Sequence, residues 1–202
     1  MRRERSAASP LPAVVLASGS PRRRQLLEMV GVPFQVVAPE VDERVRDGEP
    51  PEAYVRRLAR AKAAAVAARR PRALVLAADT TVVLEGEIFG KPRSAEEAVA
   101  MLRRLQGKTH RVMTAVAVAQ GERLEDALDV TAVTFRPLTE AMIADYVATG
   151  EPLDKAGAYA IQGKGAALVA RVEGEFYGVM GLPLRLALEL LERFGFRYRF
   201  TR

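Results

Sequence analysis

The chain has 202 residues, 49% of them hydrophobic, and a formal net charge of +6. It contains no cysteine and one histidine, His110, which excludes disulfides, thiolate or histidine metal sites, a cysteine nucleophile and a Ser-His-Asp triad. No apolar run approaches the roughly 18 residues that a membrane-spanning helix needs. These features favour a soluble, cytoplasmic protein without membrane association.

The basic residues are unevenly placed along the chain. Residues 1–12 are predicted to be a flexible basic tail, and residues 13–202 a single domain. Because much of the positive charge lies at the ends and aromatic residues do not alternate with the arginines, nucleic-acid binding is the least favoured function.

The first predicted strand–helix unit carries concentrated positive charge. A short apolar strand over 14–17 is followed by Ser20 as N-cap and Pro21 as first helical residue, and Gly31 ends the helix. The segment LASGSPRRR therefore places three arginines at a helix N-terminus, which already carries positive partial charge. Either an anion binds there, or this is an exposed basic first turn. It is not a Walker loop.

A second helix is predicted over 52–69, after a strand over 34–38 and an acidic loop. Its apolar residues recur at helical spacing, and Lys62 falls on the same inward face. A buried ammonium requires a partner or must reach solvent. In the acidic loop, Glu43 could supply a carboxylate to a divalent cation or belong to a solvated charge run.

A buried strand over 74–78 is predicted to end in Asp79. Open α/β sheets bind ligands beyond the carboxyl ends of their strands, so Asp79 could be a metal ligand or a base. It could equally cap the turn at Thr80. A hairpin turning near 85–86 would then bring Lys91 beside its base.

The remaining elements alternate between helix and strand. They predict an α/β fold with a mixed, twisted sheet. In chain order we expect a helix to residue 105, strands over 111–119 and 128–136, a helix over 140–148, a glycine-rich loop, a hairpin turning at 173–174 and a helix over 184–194.

The candidate residues share one chemical logic. An anion-binding loop, inward lysines and carboxylates suited to magnesium are what hydrolysis of a phosphoanhydride requires, because that chemistry depends on positioning and on neutralising charge. The motifs that carry these residues are LASGSPRRRQLL, YVRRLARAKA, LAADTTVVLEGEIFGKP, MLRRLQGKTHRVMTAV, YVATGEPLDKAGAYAIQGKGA and VMGLPL.

Together these motifs resemble the Maf family, nucleoside triphosphate pyrophosphatases also called septum-formation inhibitors. The resemblance implies a fold like that of inosine triphosphate pyrophosphatases, with an elongated mixed sheet, flanking helices and a nucleotide cleft between two lobes. It also implies a homodimer, a small-molecule nucleoside triphosphate as substrate, and metal-dependent cleavage between the α and β phosphates.

The resemblance also implies roles for particular residues. Asp79 matches the family's catalytic proton acceptor. The divalent cation that the family uses, Mg²⁺ or Mn²⁺, is expected from our own interpretation to be bound by Asp79 and Glu43. The family's remaining catalytic and phosphate-handling positions match Ser18, Arg23, Glu43, Lys62 and Lys91. Ser20 and Arg22, in the same loop, are also expected to bind phosphate.

Three positions divide the family by substrate: Arg22, Thr80 and Gln162. They resemble the branch that acts on dTTP and UTP. The alternatives are a 7-methyl-GTP pyrophosphatase of the same family, whose branch resembles SPWR and SDQ with Glu in place of this Gln, and a regulatory nucleotide-binding protein acting on septum formation. Gln162 could also merely brace the glycine-rich loop.

Overall fold

The computed structural model describes residues 13–200. The predicted tail at residues 1–12 lies outside the described residues, as do residues 201–202, so the predicted division of the chain stays a prediction. None of the helices within 13–200 is long and apolar enough to cross a membrane.

One seven-stranded mixed sheet organises the fold. Its order is β2-β1-β3-β5-β6-β7, with β4 paired to β3; β1 runs parallel to β2 and β3, and all other pairs are antiparallel. The strands are β1 (Val14–Leu16), β2 (Phe34–Val36), β3 (Leu74–Leu84), β4 (Glu87–Phe89), β5 (Thr109–Gln120), β6 (Arg123–Phe135) and β7 (Val169–Glu173). The predicted mixed α/β class is confirmed.

Helices flank this sheet, and most lie where the sequence predicted them. Ser20 Oγ accepts from the backbone N–H of Arg23 and Pro21 is the first helical residue, so the predicted start of the first helix is confirmed. The helices are α1 (Pro21–Met29), α2 (Pro51–Ala67), α3 (Ala95–Leu105), α4 (Glu140–Ala148), α5 (Phe176–Met180) and α6 (Leu184–Arg193). Three short 3₁₀ helices lie between residues 151 and 168.

The core has a part on each face of the sheet and a third part at one end. Successive side chains of β3 alternate between the faces: Leu74 and Leu76 pack with α1 and α6, whereas Val75 and Ala77 pack against α2. The third part lies among α3, α4 and the distal ends of β3, β5 and β6. The candidate cleft lies between this end and the rest of the fold.

The strand over 74–78 was predicted to end in Asp79, which is wrong: β3 continues through Asp79 to Leu84. Pairing with β5 holds residues 75–83 extended. On the opposite edge, β1 pairs only as far as Leu76 and β4 begins to pair only at Val82. Within residues 13–200, no strand pairs with 77–81 on that edge, and the sheet is therefore open beside Asp79.

Two further strand predictions need correction. The hairpin predicted at 173–174 is wrong: after β7 the chain turns at Gly174 into α5. At Gly174 φ is +134°, and a Cβ would lie 2.4 Å from Thr131 Oγ1, so a side chain does not fit there. Strand β6 begins at Arg123, five residues before its predicted start at Leu128, because its polar first half pairs with β5 and its Asp126 binds arginines of α2.

Candidate active site

The opening beside β3 is the mouth of a cavity of about 650 Å³. One wall is formed by the loop before α1 and by α2, and the other by residues 154–162 and 179–181. The structure brings every sequence-predicted site residue to this cavity: Ser18, Ser20, Arg22, Arg23, Glu43, Lys62, Asp79, Thr80, Lys91 and Gln162.

The loop between β1 and α1 is held in shape by its own serines. Ser18 Oγ accepts from the backbone N–H of Ser20 at 3.1 Å and from Arg23 Nη1 at 3.2 Å. The N-terminus of α1 therefore faces the cavity with its positive partial charge and an adjacent guanidinium, an arrangement suited to an anion.

Arg23 is the central cation of this wall. Its Nε donates to the carbonyl of Gly181 at 2.8 Å, and its Nη2 donates to Thr80 Oγ1 at 3.3 Å. Burial lowers the pKa of Arg23 despite the opposing charge of Asp79, but a guanidinium stays protonated in proteins. Its neighbour Arg24 is exposed, so the two adjacent arginines have different environments.

Lys62 bridges two carboxylates at the bottom of the cavity. Its Nζ lies 2.7 Å from Asp79 Oδ1 and 2.7 Å from Glu43 Oε1. Because Lys62 lies on the inward face of α2 with its side chain buried, the predicted orientation is confirmed. The buried ammonium is stabilised by these partners rather than by solvent.

The two carboxylates differ in their affinity for protons. Burial raises the pKa of Asp79 above its usual value, although the charges of Lys62 and Arg23 oppose this shift. At Glu43 burial also acts to raise the pKa, but the hydrogen bond and charge of Lys62, with the charges of Lys91 and Arg23, lower it. The two carboxyl groups are therefore shifted in opposite directions, with burial dominating at Asp79 and the surrounding positive charges at Glu43.

The same pair fits a hard divalent cation. Each carboxylate uses one oxygen for Lys62, and no described residue donates a hydrogen bond to the other oxygen. Within residues 13–200, no group of three or more His, Cys, Asp or Glu side chains forms a complete metal cage. Mg²⁺ is commonly held by one or two carboxylates together with substrate phosphates, so this donor set suits it.

Gln162 lies on a loop braced by residues that the sequence analysis missed. Glu151 Oε1 accepts from Gly165 N–H at 2.9 Å and from Tyr146 Oη at 2.9 Å. Tyr146 Oη in turn accepts from the backbone N–H of Ala160 at 3.1 Å. Since other residues brace this loop and the Gln162 amide makes no hydrogen bond within the described part of the chain, that side chain is available to a ligand.

An ion pair joins the two walls across the cavity and was also missed. Arg22 Nη1 lies 3.7 Å from Asp154 Oδ2, and Lys155 Nζ donates to Asp154 Oδ1 at 2.5 Å. In the sequence, the only indication of this ion pair is the adjacent acidic and basic residues in LDKAG. Their position opposite α1 depends on tertiary structure.

The Maf family profile, described as Maf-like protein, matches residues 13–194. The chain belongs to the Maf family. Among its curated Maf relatives are the dTTP/UTP pyrophosphatases of Myxococcus xanthus, 58% identical over 90% of this chain and 92% of the relative, and of Symbiobacterium thermophilum, 50% identical over 91% and 94%.

Among solved structures, the Ham1 protein of Staphylococcus aureus has the same fold as this Maf chain. The two superpose with a TM-score of 0.50 at 15% identity, over 90% of this chain and 97% of Ham1. At that identity the likeness concerns the fold alone. It agrees with the mixed sheet and flanking helices described above.

In this Maf protein, Arg23→Ala is expected to raise KM for a nucleoside triphosphate by roughly 10- to 100-fold. The change removes the three hydrogen bonds that order the cavity wall and the guanidinium that we expect to make a charge-assisted contact with phosphate. Steady-state kinetics will measure it. Arg24→Ala is the matched control, because Arg24 is the exposed neighbour on the same helix; equal small effects at both positions would contradict the role given to Arg23.

Proposed function

We propose that this chain hydrolyses dTTP and UTP between the α and β phosphates, releasing the nucleoside monophosphate and pyrophosphate. The relatives described above carry the name of that activity. The observation that carries the proposal is the placement of a lysine-bridged carboxylate pair and an arginine-bearing helix N-terminus in one cavity.

The basic side of the cavity is proposed to bind the triphosphate. Ser18, Ser20, Arg22 and Arg23 supply donors around the N-terminus of α1. Lys62 and Lys91 add positive charge near Glu43, as the lowered pKa of that carboxyl reflects. Phosphoryl chemistry is accelerated chiefly by such prepositioned charge.

The acidic side is proposed to activate water. Asp79 has a raised pKa, and a carboxylate whose pKa lies closer to the working pH is a better general base. Asp79 and Glu43 would hold Mg²⁺ or Mn²⁺, which would neutralise charge on the phosphate oxygens. Asp79 could act as the base or chiefly as a ligand, and the Asp79→Asn variant separates these roles.

The base is proposed to be selected by Gln162, Thr80 and Arg22. The amide of Gln162 carries both a donor and an acceptor, and it can donate to the O4 acceptor that lies beside the N3–H donor of uracil or thymine. Its loop is held independently by Tyr146 and Glu151, so the amide does not have to brace the backbone. This supports the pyrimidine branch over one that uses Glu at the same position.

Pyrophosphate release from dTTP, UTP, CTP, GTP and 7-methyl-GTP, with Mg²⁺ or Mn²⁺, tests the proposal. We expect turnover of dTTP and UTP at least tenfold above that of the other three. Chelation of the cation by EDTA should abolish it, and readdition should restore it. A preference for 7-methyl-GTP would overturn the substrate assignment, and absence of turnover with every nucleotide would overturn the reaction.

A further inference from the structure

A line of hydrogen bonds runs from the cavity wall into the core. Arg23 Nη2 lies 3.3 Å from Thr80 Oγ1, Thr80 Oγ1 lies 2.9 Å from Thr114 Oγ1, and Thr114 Oγ1 lies 2.8 Å from the carbonyl oxygen of Gly178. Thr114 is fully buried on β5, whereas Thr80 lines the cavity. This line of hydrogen bonds therefore connects the Thr80 hydroxyl in the cavity to α5.

The two ends of this line fix the direction of every hydrogen bond in it. A guanidinium can only donate and a carbonyl oxygen can only accept. The hydroxyl of Thr114 has one proton, which it donates to Gly178, so it must accept from Thr80. Thr80 thus donates its only proton inward and accepts from Arg23.

The close seating of α5 maintains this arrangement. A Cβ on Gly178 would lie 2.4 Å from Asp129 Oδ2, so glycine lets the helix approach the sheet closely here without displacing the Asp129 side chain. This approach brings the Gly178 carbonyl within hydrogen-bond distance of Thr114. The acceptor that orients the line is thus held by the backbone rather than by a movable side chain.

Towards a ligand in the cavity, Thr80 Oγ1 can act only as a hydrogen-bond acceptor. Its proton is used within the protein, and a hydroxyl oxygen that accepts once from Arg23 keeps one further lone pair. A ligand group that contacts Thr80 must therefore be a donor. On a pyrimidine base, N3–H of uracil and thymine is a donor, while N3 of cytosine is an acceptor.

Gln162 cannot make this distinction by itself. A carboxamide rotated by 180° exchanges its donor and acceptor, so it can match the O4 and N3–H edge of uracil or the N4 and N3 edge of cytosine. No described residue hydrogen-bonds to the Gln162 amide to prevent that rotation. Discrimination requires a neighbouring group of fixed polarity.

We propose that Thr114 is a positioning residue that holds Thr80 Oγ1 as an acceptor and thereby selects uracil and thymine over cytosine. The inference rests on the proposed function, since it assigns the base specificity of the same cavity. Thr80 contacts N3–H, and Gln162 pairs with O4. Thr114 touches no ligand and acts only through the hydroxyl of Thr80.

The test is the ratio of kcat/KM for UTP to that for CTP in Thr114→Val and Thr114→Ser. Valine matches threonine in shape but frees the Thr80 proton to donate into the cavity, so the ratio should fall roughly tenfold, the equivalent of one hydrogen bond. Serine keeps the hydroxyl and should preserve the ratio. Thr114→Cys, with a weak S–H donor, should give an intermediate ratio and replaces the valine variant if that fails to fold.

Thr131→Val is the matched control. Thr131 is also fully buried and also uses its hydroxyl near α5, accepting from Glu175 N–H at 2.8 Å, but it lies outside the line. Its loss should lower stability without changing the ratio. An unchanged ratio in Thr114→Val, or an equal fall in Thr131→Val, would overturn the inference.

Equilibrium binding separates this inference from the proposed reaction. Calorimetric Kd values for UTP and CTP give the same preference without turnover, and Thr114→Val should reduce it by the same factor. Equal affinity of the wild-type protein for UTP and CTP would overturn the inference. Preferential binding of UTP without any hydrolysis would overturn the proposed reaction alone.

Discussion

Replacement of Asp79 by Asn is expected to lower kcat for dTTP and UTP by about 10³-fold, within the range that loss of a general base produces. The amide cannot take a proton from water at any accessible pH. It is nearly isosteric, so the extended backbone through residues 75–83 should persist. Pyrophosphate release at saturating substrate measures the effect, and circular dichroism verifies the fold.

Asp126→Asn is the matched control for this loss. The side chains of Asp79 and Asp126 are each 10% exposed. Asp126 binds Arg56 and Arg60 outside the cavity, so its amide variant should keep kcat within about twofold while losing some stability. A comparable fall in kcat in both variants would mean that the effect reports damage to the fold rather than chemistry.

Binding of Mn²⁺ to the Asp79→Asn variant, followed by electron paramagnetic resonance, distinguishes the two roles proposed for this carboxylate. Loss of both turnover and Mn²⁺ affinity would assign Asp79 chiefly as a ligand. Loss of turnover with affinity retained would assign it as the base, leaving Glu43 and the substrate phosphates to hold the cation. Full activity would contradict both roles.

The sequence predicted which residues converge because short-range rules place them. Helical periodicity put Lys62 on the buried face of α2, and the Ser20 cap with Pro21 defined the start of α1. The sequence could not predict the opening of the sheet beside Asp79. That opening exists because β1 stops pairing at Leu76 and β4 starts at Val82, and local propensity contains no information about where neighbouring strands end.

Long-range contacts explain the features of the site that the sequence did not predict. Arg23 is oriented partly by the Gly181 carbonyl, 158 positions away in sequence. Thr114 lies within the strand predicted over 111–119, and no sequence signal placed it near the site. The error at 173–174 has a similar cause. A hairpin was predicted to turn at 173–174, but the turn at Gly174 passes against Thr131 and the following segment forms α5 instead.

Removal of the Lys62 ammonium is expected to have the second large effect. In Lys62→Met, Asp79 and Glu43 lose the cation that lies 2.7 Å from each of them. Loss of a prepositioned charge at a developing oxyanion should lower kcat/KM for UTP by about 10²- to 10³-fold. Methionine keeps most of the apolar stem volume, so α2 should stay packed.

The pH dependence of the Lys62→Met variant gives a sharper test than its rate. Lys62 lowers the pKa of both carboxyl groups, so its removal raises both. Because both roles proposed for Asp79 require its ionised form, the acid limb of the kcat/KM profile should move to higher pH. Lys155→Met is the control: this cavity lysine binds Asp154 and the Glu151 carbonyl, so the acid limb should stay in place. An unmoved limb in Lys62→Met would show that activity does not depend on the ionisation of this carboxylate pair.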